Sequence, residues 1–341
     1  MRFFLTSLFL TSLLTVVFNL QLIAQGCCSG GAGSPIAGGA VTGVLQENQM
    51  EISVNYQYNK SNKFFTESKD TVGSFDNFNS DYLFLRADYG LSKRLTMSIA
   101  SGYFLNKSQV MDPELDTLTI SSKGFSDLIL FPRYDIYNKT KNGIRTEITL
   151  GLGLKIPLGS HTDSTETVPD VWDVSPPITQ LSTGSQDLMF YSFFFKDYQK
   201  QKLRIFVNSL YIRKGYNSLG LRFGDYSSIG IFASKSIYRK WGIIGQIKGE
   251  MIREISLDKL SSEDWDFFMW EERQKSTGSK KLFFVPQISY SQNGITVFAT
   301  SEIPLYQYLN GTQVGSQSQF TIGMNYRFLT KECEDPLSTP N

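Results

Sequence analysis

Histidine is almost absent from this chain, with one among 341 residues, and cysteine occurs only three times. The lone imidazole, His161, leaves little for acid–base or metal chemistry. A charge surplus is missing too: 33 Lys and Arg against 32 Asp and Glu give a formal net charge of +1. The basic residues are scattered, which argues against nucleic acid, a ligand that needs a basic face. After the first two dozen residues there is no long aliphatic stretch of helical character. Aromatic residues are abundant, with 26 Phe and 17 Tyr, and such enrichment favours strands. The length allows two ordinary domains or one large β architecture.

The start reads as an export signal. Arg2 supplies the positive end, Phe3 to Leu20 is apolar, and Leu22-Ile23-Ala24 ends on a small residue before Gln25. Residues 1–24 are therefore expected to be removed. An uncleaved anchor is the rival, since the run is just long enough to span. Gly26-Cys27 also invites a lipoprotein reading, but Ala24 and Gln25 stand where a lipobox has Leu and a small residue. Residues 25–47 are glycine-rich without periodicity and read as a linker or plug.

From there to 329 the chain alternates. In "GIRTEITLGLGLKIPLGS", Ile144, Ile148, Leu150, Leu152, Leu154 and Ile156 point one way, and Arg145, Glu147, Thr149, Gly151, Gly153 and Lys155 the other. Twelve such segments are expected, near 48–58, 80–90, 93–105, 124–137, 143–156, 186–197, 201–212, 223–237, 241–252, 281–291, 294–304 and 318–329. Fourteen is the next choice. The joins between them alternate strictly: short at "LSK", "NKTKN", "YQK", "YRK" and "QNG", long at 59–79, 106–123, 157–185, 213–222, 253–280 and 305–317. Short periplasmic turns and long extracellular loops are the habit of outer-membrane barrels. Closure also removes the unpaired edges that lipid cannot satisfy. The expected fold is an all-β transmembrane antiparallel barrel over 48–329 in outer-membrane lipid, with a periplasmic tail at 330–341. Pro132 and Pro286 fall inside expected strands, where neither can donate a ladder bond, so either bulges occur there or the segment is not a strand.

If lipid meets the aliphatic parity, the other parity lines the lumen. It carries Arg86, Asp88, Asp127, Arg133, Asp135, Arg145, Glu147, Lys155, Arg204, Lys248, Glu250, Glu302 and Arg327. In hydrocarbon each charge would cost about 2–4 kcal/mol near the midplane, whereas inside a narrow barrel they can pair. The same parity holds Phe84, Ile129, Phe131, Phe206, Phe283 and Phe298. Two readings stand side by side: a path for small amphiphilic or aromatic solutes, or plain packing of a narrow barrel. In the loop "LSSEDWDFFMWEE", Ser261 or Ser262 is a candidate cap for a short helix bearing Trp265, Phe268 and Met269. Anchoring at the membrane interface is the expected use of those aromatics.

The last segment, "QFTIGMNYRF", places Gly323, Tyr326 and Phe328 in the spacing that resembles the terminal signal read by the bacterial barrel-insertion machinery. The motifs "GFSD" (Gly124 to Asp127), "LGLKIPLG" (Leu152 to Gly159) and "TGSQD" (Thr183 to Asp187) occur in order. In order and spacing they resemble the outer-membrane transporter family named for the MetA pathway of phenol degradation, over roughly residues 48 to 329. A more distant likeness is to fatty-acid-channel barrels, which carry an N-terminal plug. The resemblance implies a barrel and passage of small molecules; it does not imply phenol.

Chemistry is not expected. His161 lies beside Ser160 and Asp163, but adjacency on a loop does not make a nucleophile–base pair. Cys27, Cys28 and Cys333 are candidates for a disulfide tying the N-terminal segment to the tail; metal capture by the pair, or reduced or lipidated thiols, are the alternatives. The expected function is outer-membrane passage of a small solute, with no cofactor, metal or nucleic acid. A non-conducting binding or structural barrel is the alternative, and a barrel hydrolase the third.

Overall fold

A period of two in a chain that must cross lipid leaves one solution, a closed sheet. The computed structural model describes residues 43–72, 77–110, 119–168, 170–237, 240–257 and 276–331. The export signal, the three cysteines and the 261–269 segment lie outside them. Twelve long strands form the wall. They are β1 (Gln49–Ser61), β2 (Asn77–Ser92), β3 (Leu95–Val110), β4 (Leu128–Lys141), β5 (Ile144–Ile156) and β6 (Asp187–Tyr198). The second half is β7 (Leu203–Arg213), β8 (Tyr226–Ile237), β9 (Trp241–Ile252), β10 (Ser279–Gln292), β11 (Ile295–Val314) and β12 (Gln319–Leu329). Each pairs antiparallel with its neighbours in sequence, and β1 closes on β12 from Gln49↔Leu329 to Asn59↔Gln319.

The turns at one end are tight. Asn142-Gly143 and Asn293-Gly294 have positive φ at both residues, as a type I′ hairpin requires. Both chain ends of the barrel lie at this end, where Asn48 O accepts the amide of Thr330 at 2.8 Å. The opposite end carries the long connections. By the rule for such barrels the turn end is periplasmic and the loop end extracellular.

Leu150, Leu152 and Leu154 are exposed on the outside of β5, while Glu147, Thr149 and Lys155 are buried inside. The same division runs round the wall, with Ile52, Leu85, Ile99, Ile229, Ile243 and Val297 outward. Tyr137, Trp241 and Tyr326 flank this apolar band at the turn end, and Tyr58 and Tyr211 at the loop end, where amphipathic rings suit the interface. Leu152→Arg should therefore destabilise the barrel by about 2–4 kcal/mol when placed near the midplane, read by urea unfolding in lipid vesicles; Leu152→Phe should be close to neutral.

Three expectations are corrected. The join at 305–317 is not a long loop: β11 runs to Val314, and its end pairs with a short strand, Phe64–Glu67, that rises above β12. Asp127 is not within a strand, because Ser126 and Asp127 interrupt the chain between Thr119–Phe125 and β4. The interruption is fixed by side-chain bonds: Tyr82 Oη meets Ser126 Oγ at 3.0 Å, and Ser182 donates to Asp127. Nor do Pro132 and Pro286 carry bulges. The register either side of each is unchanged, with only the adjacent rungs missing on one side. The shifts fall nearby, between Asp135 and Tyr137 and opposite Leu282/Phe283, next to Pro304. A single lost rung costs less than a change of register that would invert the faces of the strand.

Candidate functional site

The interior is built in tiers. Its middle is apolar on the side formed by β2 to β9, where Phe84, Phe131, Met189, Tyr191, Phe206 and Phe232 belong to one buried cluster. Phe206 stacks on Phe232 at 4.3 Å and Phe131 meets Tyr191 edge-on at 5.5 Å. The glycines of "LGLGLK" make room for this: a Cβ on Gly153 would come within 2.8 Å of the Phe131 ring. The facing side is polar. Asn55 and Gln57 of β1 and Thr321 and Asn325 of β12 point inward, and each keeps a buried amide or hydroxyl atom with no partner among the described residues.

Toward the turn end lies an ion-pair network. Arg86 Nε meets Asp88 Oδ2 at 2.6 Å and its Nη2 reaches Glu51 Oε1 at 3.2 Å. Arg133 Nη2 donates to the other oxygen of Asp88 at 2.8 Å and to Ser98 Oγ at 3.1 Å. Arg327 Nε donates to Glu51 at 2.8 Å, and Arg145 pairs with Glu147 at 2.7 Å. With buried Asp135 nearby, four guanidinium groups balance four carboxylates among the described residues.

The end of the glycine-rich segment enters this network. Gly43 O accepts from Arg133 Nη1 at 3.0 Å, Val44 N donates to Glu147 Oε1 at 3.3 Å, and Leu45 N to Thr96 Oγ1 at 2.7 Å. Leu45 is buried. From Asn48 at the rim, the backbone thus runs inward rather than away from the barrel. A Cβ on Gly43 would collide with the Glu147 carboxylate; glycine is what lets the backbone lie so close.

Toward the loop end the three sequence motifs meet. Asp127 of "GFSD", Lys155 of "LGLKIPLG" and Asp187 of "TGSQD" form one cluster: Lys155 Nζ bridges Asp127 and Asp187, the latter at 3.0 Å. Thr183 Oγ1 accepts from Lys155 at 3.1 Å, and Ser185 Oγ donates to Asp187 at 2.7 Å. Lys214, from the next loop, adds an ammonium on Asp187 at 2.8 Å. Burial, followed by the Lys155 ammonium, pushes Lys214 down to about 8 against the pull of Asp187. The loop carrying Gln180, Leu181 and Ser182 is itself buried in the barrel mouth.

The remaining predicted residues are dispersed. Lys248 pairs with Glu302 and, at 3.3 Å, with Glu250, on the far wall. Arg204 lies 3.7 Å from Asp197. Phe298 is buried against Gly323 and Asn55. Tyr326 and Phe328 stack at 5.0 Å, with Tyr326 exposed on the outer face. His161 contacts neither Ser160 nor Asp163; its Nε2 meets Ser218 Oγ at 2.8 Å, and among the described residues no carboxylate orients it. Sequence reasoning missed Glu51, Lys107 and Lys214. Glu51 was findable, since Glu51, Ser53, Asn55 and Gln57 share one parity. Lys107 was not: it shares the parity of outward-facing Leu105, and a register shift opposite Asp81/Tyr82 lets it turn in.

No protein family and no curated protein matches the chain by sequence. Among solved structures it is similar to an outer-membrane channel from Pseudomonas putida F1, at 12% identity and a TM-score of 0.60, covering 84% of this chain and 97% of that one. A FadL homologue from Pseudomonas aeruginosa aligns at 8% identity and a TM-score of 0.40, over 82% of this chain and 90% of that one. The NanC porin aligns at 12% and 0.40, over 81% and 98%. Only the first is close enough to bear on architecture. Its match, the apolar outer band and the closed ladder agree: the chain has the fold of an outer-membrane β-barrel, and the outer membrane is its place.

Proposed function

We propose that the barrel passes small amphiphilic or aromatic solutes across the outer membrane, without a chemical step. The supporting observation is the two-sided interior. Phenyl and aliphatic side chains cover one wall, and the other presents Asn55, Gln57, Thr321 and Asn325 with buried polar atoms that no described residue bonds. Buried polar groups seek water or a polar partner, so this wall suits the hydrated or hydroxylated side of a solute whose apolar side rests opposite. The Pseudomonas putida F1 protein of similar fold is an outer-membrane channel.

The second reading, a non-conducting barrel, is favoured by the balanced charge of the turn-end network and by the backbone of Gly43–Leu45 seated in it. Planar-bilayer recording of the full chain decides between them. Conductance, with faster uptake of phenol or benzyl alcohol than of a sugar of similar size into proteoliposomes, supports passage. A barrel that stays sealed after removal of residues 25–46 sinks it.

A further inference from the structure

Among the described residues three ion clusters line the barrel interior, and two of them are electrically balanced. The turn-end network has four cations and four anions, and the far wall sets Lys248 and Lys281 against Glu250 and Glu302. The loop-end cluster is not. Among the described residues, Lys107, Lys155 and Lys214 share only Asp127 and Asp187, and the neighbouring Asp225 is already matched by Arg222 at 2.9 Å. Lys107 is the odd cation. Its Nζ donates to the backbone oxygen of Gln180 and lies 4.9 Å from the Phe104 ring centre, within electrostatic reach of Asp127 and Lys155, yet no carboxylate among the described residues pairs with it.

What lies beneath Lys107 is equally specific. Phe104 packs on Tyr82 at 4.5 Å, and Tyr82 is 6.2 Å from Phe84, the edge of the apolar interior. An ammonium that no carboxylate among the described residues pairs with thus sits at the head of an aromatic run that leads into the barrel. A half-buried ammonium whose hydrogen-bond partner is a neutral carbonyl keeps an unanswered charge, and an anion on an apolar body would answer it.

We infer that the loop-end cluster is a binding site for the carboxylate of a monoanionic amphiphile. Lys107 takes the carboxylate, and the ring or alkyl body lies along Phe104, Tyr82 and Phe84. Lys155 and its two aspartates hold the loop that supplies Gln180, and position Lys107 through it. The site rests on the reading of the interior as a solute path, and names the solute's charge.

The test is calorimetric titration of the full chain in detergent with benzoate and octanoate, each against its uncharged amide, and with inorganic phosphate. Benzoate or octanoate should bind at least tenfold more tightly than its amide, and the stronger of the two says whether a ring or a chain is preferred. Lys107→Met should erase that discrimination and Lys107→Arg should keep it. Equal binding of acid and amide by the wild-type chain, no binding of either acid, or tighter binding of phosphate than of both acids overturns the inference without any variant. So does undiminished discrimination in a Lys107→Met barrel that keeps its heat-modifiable gel shift. Failure here with benzyl alcohol uptake intact leaves the channel reading standing; charge-selective binding in a barrel that passes nothing sinks that reading alone.

Discussion

Replacing Gly43 by leucine should raise conductance several-fold while leaving the wall as stable as before. The Cβ it adds would meet the Glu147 carboxylate, which is held by Arg145 and Thr149 on the wall. The segment, tied by three hydrogen bonds near its end, is the partner that yields. Each such bond is worth about 0.5–1.5 kcal/mol, so losing them unseats the segment but does not unfold a sheet of twelve strands. Arg133→Met separates the two roles. The same guanidinium holds Gly43 O and one oxygen of Asp88, with Asp88 almost fully buried. Removing it should raise conductance as Gly43→Leu does, and also cost about 3 kcal/mol of stability, at the low end for breaking a buried pair because Arg86 remains on Asp88. Bilayer recording and urea unfolding of both variants check this. Equal conductance in all three proteins would show that Gly43–Leu45 does not narrow the path.

The wall was legible before the structure because one rule governs it. Lipid punishes a misplaced charge on every strand, so parity is enforced residue by residue, and the β5 stretch around Leu150, Leu152 and Leu154 reads the same in sequence and in space. Turn chemistry added the ends: Asn142-Gly143 and Asn293-Gly294 are short-range signals. Where the rule lapses, legibility lapses with it. Beyond the membrane nothing enforces parity, so the extension of β11 to Val314 looked like loop, and Lys107 and Lys214 could not be placed. Asp127 is buried but lies outside the strand expected for it, since the bonds that break the strand there come from Tyr82 and Ser182, 44 residues before and 55 after the pair they hold. The meeting of the three motifs was likewise invisible. Each is a local pattern, and the register of β4, β5 and β6, with Lys155 opposite Asp187 and beside the start of β4, brings the three together.

That meeting sets the second large effect. Lys155→Met should destabilise the barrel by about 3–5 kcal/mol, because it strips a buried carboxylate of its only ion partner. Asp127 has no other cation paired with it among the described residues, whereas Asp187 keeps Lys214. The loss should not stay local. Lys155 also donates to Thr183, and Asp127 accepts from Ser182, so the loop in the mouth is moored to the same charges. Asp127→Asn in the Lys155→Met background should restore part of the stability by removing the stranded charge, while the mouth stays loosened because Lys155 no longer reaches Thr183. Unfolding free energies of the two single variants and the double variant give the coupling directly; proteolysis of folded barrels at the 157–186 loop reports the mooring. If the two single changes add without coupling, the convergence of the three motifs is a matter of proximity. If they couple by a kilocalorie or more, as contacting charges do, the motifs encode one electrostatic lock on the extracellular mouth.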